Sequence, residues 1–312
     1  MPTRTYRYLH LDVFTDQRFG GNQLAVFPVA EGLDDATMQR IAREINFAET
    51  TFVVAPNDPA ADRRVRIFTP TTELPLAGHP IVGTAIALAH EGVIAPPAGG
   101  AGLVVARFQL GVGTLPVDVT FAGGQGQFAW MHQPIPQFAP WSGDPAALAA
   151  ALGLGAGEMG SAALPLERGS AGVPFVFVAV PTRAALGQAG PGAELATVLE
   201  ASGCHGAYVF TEETGDPAVT AQVRVFPVVI GIKEDAATGG AAGPFGAYLR
   251  RHARIAPATS GAASARLAQG LEMGRPSQIE VRVTGEPESL SDVAVGGRAV
   301  LVATGDFLVD AG

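Results

Sequence analysis

Apolar and polar residues alternate along this chain in two rhythms, and each rhythm marks a kind of element. Residues 6–14 and 24–28 are short apolar-rich runs that read as strands, separated by the turn Phe19-Gly-Gly-Asn22. Over residues 34–45 the spacing becomes helical: Met38, Ile41, Ala42 and Ile45 fall at i, i+3, i+4 and i+7, and Asp34 or Asp35 can cap the start. Residues 51–55 and 64–68 read as further strands. Ala77-Gly-His-Pro80 then opens a second helix over 81–90, and Pro80 suits its first turn, where a missing N–H is harmless. Residues 145–154 form an Ala-rich helical stretch, 299–303 read as a strand, and 95–103 and 184–195 look like loop insertions.

The pattern repeats. Phe52-Val-Val-Ala-Pro-Asn-Asp-Pro59 resembles Phe210-Thr-Glu-Glu-Thr-Gly-Asp-Pro217, and Arg66-Ile-Phe68 matches Arg224-Val-Phe226. Asp58 and Asp216, Arg66 and Arg224, and Phe68 and Phe226 share one offset of 158 residues. Each half then reaches a small-residue turn that opens a helix, at Gly78 and at Gly239, now offset by 161. Self-similarity of this kind points to two similar domains with a cleft between them. The expected boundaries are 1–125 for the first domain, which the last strand at about 298–312 can join, and 126–297 for the second. The link is expected between about 120 and 135, around Phe121-Ala-Gly-Gly-Gln-Gly126.

Composition narrows the function. The 312 residues exceed what one core usually carries, which agrees with two domains. The net charge is −9 and no cluster of Lys and Arg supplies a basic face, so nucleic acid is not an expected partner. No apolar run is long enough to span a membrane and the N-terminus lacks the apolar core of a secretion signal, so a cytoplasmic protein is expected. The single cysteine, Cys204, reads as a small buried apolar residue, and no Cys/His cluster has metal spacing.

The candidate chemistry gathers at the two glycine turns. A helix that begins there offers backbone N–H groups and a positive dipole end to an anion or a developing oxyanion. Gly78 and Gly239 let the backbone approach a ligand closely. Around this symmetry stand asymmetric polar residues. Glu49 has Ala207 as its partner by offset, so the domain fold does not need the carboxylate. His79 sits in the first turn, and Asp235 precedes the second. A carboxylate and a histidine at helix ends suit general acid–base chemistry, although a turn histidine and an N-cap aspartate are the plainer readings of His79 and Asp235.

At these residues the sequence resembles the phenazine-biosynthesis PhzF family. The matching stretches are Asp12-Val-Phe14 with Gly21-Asn22, Met38-Gln-Arg-Ile-Ala-Arg-Glu44, Glu49-Thr-Thr-Phe52, Arg66-Ile-Phe-Thr-Pro70, Glu73-Leu-Pro-Leu-Ala-Gly-His-Pro80, Gln133-Pro-Ile-Pro136, Glu234-Asp-Ala-Ala-Thr-Gly239 with Ala241-Ala-Gly-Pro244, and Gly274-Arg-Pro-Ser277. The resemblance implies the α+β fold shared with diaminopimelate epimerase: two similar domains, each a curved sheet around a central helix, with the active site in the cleft between them. It implies a homodimer, no cofactor and no metal. The implied activity is isomerisation of a small anionic substrate, of the kind performed on trans-2,3-dihydro-3-hydroxyanthranilate. A glutamate matched by Glu49 moves a proton between ring carbons there, assisted by residues matched by His79 and Asp235.

The implied substrate-binding positions are Asn22, Ala48, Gly78, Gly239 and Gly240. In thiol-using racemases of this fold, cysteines stand at the positions of Ala77 and Thr238, so cysteine-based epimerisation is excluded here. Typical members also carry serine at the positions of Ala48 and Gly240, and both serines are expected to touch substrate. Their loss keeps two alternatives open: epimerisation, elimination or rearrangement of another carboxylate, and a catalytically inactive small-ligand binding protein. The retained Glu49, His79 and Asp235 argue against the last.

Overall fold

A computed structural model describes residues 3–155, 157–259 and 261–310. In chain order the first elements are β1 (Thr3–Val13), β2 (Asn22–Phe27), α1 (Asp35–Ile45), β3 (Glu49–Val54), β4 (Arg63–Phe68), β5 (Glu73–Leu74), α2 (Gly78–His90), β6 (Gly102–Leu110), β7 (Gly113–Ala122) and β8 (Gln125–Gln133). They are followed by β9 (Gln137–Pro140), α3 (Pro145–Leu152), β10 (Glu167–Ser170), β11 (Pro174–Ala179), α4 (Arg183–Gln188), α5 (Leu195–Ala201), β12 (Gly206–Thr211) and β13 (Ala221–Phe226). The chain closes with α6 (Gly239–Arg251), β14 (Ala262–Gln269), β15 (Ser277–Glu286), β16 (Ser289–Gly297) and β17 (Ala299–Asp310). Two compact units result: residues up to His132 together with Gly296 onward, and Gln133–Val295. Among the described residues no helix is long and apolar enough to cross a membrane.

In the first unit β1 lies antiparallel to both β17 and β2. From β2 the sheet continues parallel to β3, antiparallel to β4, parallel to β6 and antiparallel to β7. In the second unit β10 lies antiparallel to β11, followed by β12 parallel, β13 antiparallel, β14 parallel and β15 antiparallel. The two units therefore run through one order of strand directions. In each, a long helix makes the crossover between the second parallel pair, α2 in one and α6 in the other, because parallel neighbours cannot be joined by a tight turn. Residues 78–89 of α2 are all buried, and apart from His79 and Thr84 they are apolar or glycine on every face, as a helix enclosed by sheet must be. The second unit also packs α3, α4 and α5 outside its sheet, where Leu148, Leu152, Leu186, Leu195 and Leu199 meet Val176, Val178 and Val209.

Three sequence expectations change. The boundary between the units falls at His132 and Gln133, within the 120–135 expected for the link, while the stretch 121–126 at its centre is the tip of the β7–β8 hairpin, with Gly123 and Gly124 at φ 59° and 77°. Residues 184–195, expected as a loop insertion, hold most of α4: Thr182 caps it by accepting from Ala185 N–H, and Ala185 and Leu186 bury its face. The glycines and proline that follow hide so short a helix in the sequence. The third change is one of register. In the first unit Thr50 lies opposite Phe68, whereas in the second it is Ala207, not Tyr208, that lies opposite Phe226. Thr51 faces α2, bonding Thr84 hydroxyl to hydroxyl at 2.8 Å, and Tyr208 faces α6, with its ring 4.8 Å from that of Phe245. Thr51 thus corresponds to Tyr208, and the counterpart of Glu49 is Gly206 instead of Ala207. A slip of one residue would put the wrong face of the strand toward the helix.

One electrostatic fitting occurs in both units. The Arg66 guanidinium holds Glu73 through two hydrogen bonds of 2.8 and 2.7 Å and lies 5.1 Å above the Phe68 ring. The Arg224 guanidinium holds Glu234 through bonds of 2.9 and 2.8 Å and lies 5.1 Å above Phe226. Each glutamate stands five residues before its helix-opening glycine. The environments differ: Glu234 is 17% exposed and Arg224 also donates to the carbonyls of Leu186, Gly187 and Ala189, whereas Glu73 is 41% exposed and the second acidic partner of Arg66, Asp35, 84%. Removing one member of a buried pair leaves an uncompensated charge. Arg224→Met is therefore expected to lower the unfolding free energy by about 3 kcal/mol and Arg66→Met by about 1 kcal/mol. Urea unfolding of both variants checks the order, and equal losses would contradict it.

Candidate active site

Glu49 is the first residue of β3 and shares the face of Thr51, so its side chain lies on the side of the strand that meets α2. It is 6% exposed. His79, 3% exposed, is the second residue of α2, and its Nε2 lies 3.2 Å from Glu49 Oε2. The other ring nitrogen, Nδ1, lies 3.2 Å from Asn22 Nδ2. Asn22 is placed by the turn before it: Gly21 has φ +62°, and a Cβ there would stand 2.3 Å from the Val13 carbonyl oxygen, so only glycine fits. Asp12 ties the same turn by accepting from Phe19 N–H at 2.6 Å.

Burial dominates the titration of His79. Removal from water pushes its pKa down to about 3, with a backbone hydrogen bond to Gln23 acting more weakly in the opposite sense. His79 is therefore a neutral imidazole at neutral pH, in contact with Glu49 without forming an ion pair.

The second unit carries a different set. Asp235, 8% exposed, accepts from the Thr238 hydroxyl at 2.7 Å. It does not cap α6: the N-cap position is Thr238, whose side chain makes no capping bond. The Gln133 amide donates to the Gly239 carbonyl at 3.1 Å, and the Ser277 hydroxyl donates to the Ala236 carbonyl at 2.8 Å. Gly78, Gly239 and Gly240 all lie in helical first turns and none has left-handed φ. Ala48 is half-buried, directly before Glu49.

The units thus present unlike residues on like frames. At the position of Glu49 stands Gly206, where a Cβ would meet Phe175 at 2.5 Å and the Pro227 backbone at 2.9 Å, so no side chain fits. By the 161-residue offset, His79 corresponds to Gly240, Ala77 to Thr238 and Leu74 to Asp235. The structure places Glu49, His79, Asn22, Gly78 and Ala48 in the first unit and Asp235, Gly239 and Gly240 in the second. Sequence reasoning missed the brace formed by Gln133, Ser277 and, most of all, Gln269, which comes from β14 with no local motif of its own. Cys204 is fully buried and its thiol pKa is raised by that burial. Among the described residues no group of three or more His, Cys, Asp and Glu is arranged to hold a metal ion.

Comparison with known proteins gives the family. The family model for phenazine biosynthesis-like proteins, PhzC-PhzF, matches residues 11–305, and the chain belongs to that family. It is 36% identical over 308 residues to trans-2,3-dihydro-3-hydroxyanthranilate isomerase of Pseudomonas aeruginosa, covering 96% of this chain and 98% of that one. It is 37% identical over 310 residues to the uncharacterized isomerase mll1393 of Mesorhizobium japonicum, covering 98% and 100%. The crystal structure of a PhzF-family phenazine biosynthesis protein of Bacillus anthracis superposes with a TM-score of 0.84 at 30% identity, covering 98% and 100%. A hydroxyproline epimerase from Agrobacterium vitis, 12% identical with a TM-score of 0.67, shares the fold alone, which is the diaminopimelate-epimerase-like one. The protein is an isomerase of the PhzF family.

The neutral state of His79 has a measurable consequence. An unfolded histidine takes up a proton near pH 6.5, while the folded one resists until about pH 3, so folding loses stability as the pH falls through that window. Between pH 7 and pH 4 this residue should account for about 3 kcal/mol of that loss. Urea unfolding of His79→Gln at both pH values is expected to show a correspondingly smaller acid loss, and an unchanged one would contradict the buried neutral ring.

Proposed function

We propose that this isomerase shifts a proton between two carbons of a small cyclic amino-carboxylate, with Glu49 as the base that takes it up and gives it back. The observation that carries the reading is the buried contact of Glu49 with a neutral His79 at 3.2 Å. A carboxylate can accept a proton from carbon and return it as an acid. The neutral imidazole beside it adds no competing charge, and the close contact holds the side chain in one place. Neither α2 nor α6 has a capping bond from its N-cap side chain, which suits an anionic substrate. The relative from Pseudomonas aeruginosa makes trans-2,3-dihydro-3-hydroxyanthranilate the first compound to test.

A second reading, another carboxylate substrate, is favoured by Ala48 and Gly240, which lack the hydroxyls expected of family members there. Gly240 is the second residue of α6 with ordinary φ, so serine is conformationally admissible at that position.

Two outcomes follow. Glu49→Gln keeps size and hydrogen bonding but cannot accept a proton, so kcat on trans-2,3-dihydro-3-hydroxyanthranilate should fall by about 10²–10⁴-fold with an unchanged circular-dichroism spectrum. Near-wild-type turnover by the variant would remove Glu49 from the mechanism. Ala48→Ser combined with Gly240→Ser should raise kcat/KM for the same compound if the missing hydroxyls limit its recognition. Efficient wild-type turnover that the serines do not improve would favour the first reading over the second.

A further inference from the structure

Thr238 occupies the N-cap position of a thirteen-residue helix, where a threonine ordinarily accepts from a backbone N–H and stabilises the helix start. Here it makes no such bond. Its hydroxyl proton goes instead to Asp235 Oδ2 at 2.7 Å, and the amide of Gln269 fixes that direction. Gln269 Nε2 donates to Thr238 Oγ1 at 2.9 Å and to the Asp235 carbonyl at 2.7 Å, while Gln269 Oε1 accepts from Thr238 N–H at 3.0 Å. A hydroxyl has one proton. With Nε2 donating into one of its lone pairs, Thr238 directs that proton to the carboxylate.

The surrounding chain keeps the arrangement rigid. Gln269 is fully buried, and Thr238 and Asp235 are each 8% exposed. Gly270, at φ +75°, lets the chain pass so close that a Cβ would stand 2.7 Å from the Ala236 carbonyl oxygen. Ser277 donates to that same carbonyl, Asp235 N–H donates to the Val225 carbonyl at 3.0 Å, and Arg224 pins the preceding Glu234. The first unit has no equivalent, since alanine stands at Ala77 and leucine at Leu74.

We infer that Thr238 and Gln269 are positioning residues that aim the Asp235 carboxylate for the reaction, the cap bond of α6 having been given up for that purpose. The inference rests on the reading above that Asp235 takes part in the acid–base chemistry.

The test is a double-mutant cycle of Thr238→Val and Asp235→Asn, with kcat and KM measured separately on trans-2,3-dihydro-3-hydroxyanthranilate. Thr238→Val and Gln269→Leu are each expected to lower kcat by roughly tenfold or more with KM within about threefold, as loss of orientation without loss of binding requires. Thr238→Ser, which returns the hydroxyl, should recover most of the loss. In the Asp235→Asn background Thr238→Val should cost almost nothing further. A cost that is the same in both backgrounds, or a folded Thr238→Val enzyme with wild-type kcat, overturns the proposal. Crystal structures of Thr238→Val and Gln269→Leu supply an arm that needs no substrate: the Asp235 carboxylate should leave its place beside residue 238, and a carboxylate that stays overturns the proposal. A wild-type enzyme idle on the compound, with Asp235 displaced in the variants, would reject the substrate reading and leave the positioning role standing.

Discussion

A carboxylate and an imidazole held 3.2 Å apart, each less than a tenth exposed, are costly to bury, and the first unit is arranged around accommodating them. The solution is to keep the ring neutral, so that no ion pair is buried. That neutrality comes from burial, and burial comes from α2, whose first dozen residues are all enclosed. The strand supplies Glu49, the helix start supplies His79, and the turn closed by Gly21 supplies Asn22 to the far ring nitrogen. Each of the three depends on backbone geometry fixed elsewhere, which keeps the proposed proton-transfer group in one orientation.

The second unit shows what the same frame becomes without that demand. Gly206 closes the position of Glu49 against Phe175 and Pro227, and the hydroxyl pair Thr51–Thr84 is replaced by the packed rings of Tyr208 and Phe245. In exchange the helix start acquires Asp235, Thr238 and the buried amides of Gln269 and Gln133. Duplication supplied two equivalent helix ends, and substitution made them chemically unlike.

Much of this was legible in the sequence because it is local. The helical spacing of Met38, Ile41 and Ala42, the turns at Gly78 and Gly239 and the repeat of Arg66 and Arg224 all rest on neighbours within a few residues. The failures have one physical origin. A constant offset of 158 assigned Ala207 to Glu49, but strand register depends on which face meets the helix, and a single inserted residue between β12 and β13 moves the true counterpart to Gly206. Gln269 reaches Thr238 across 31 residues, so no spacing rule announces it. Asp235 read equally well as a cap because a carboxylate before a helix is ambiguous until its acceptor geometry is known.

The central claim is that one buried carboxylate carries the proton from carbon to carbon. Its most direct test is the fate of an isotope. With trans-2,3-dihydro-3-hydroxyanthranilate deuterated at the carbon that loses hydrogen, turnover in ordinary water should return part of the label to the carbon that gains hydrogen. Glu49 is 6% exposed, and the account requires it to deliver the proton before that proton exchanges with solvent. Deuterium found by NMR at the receiving carbon of the product is the predicted result; complete washout of the label at every stage of turnover would contradict it.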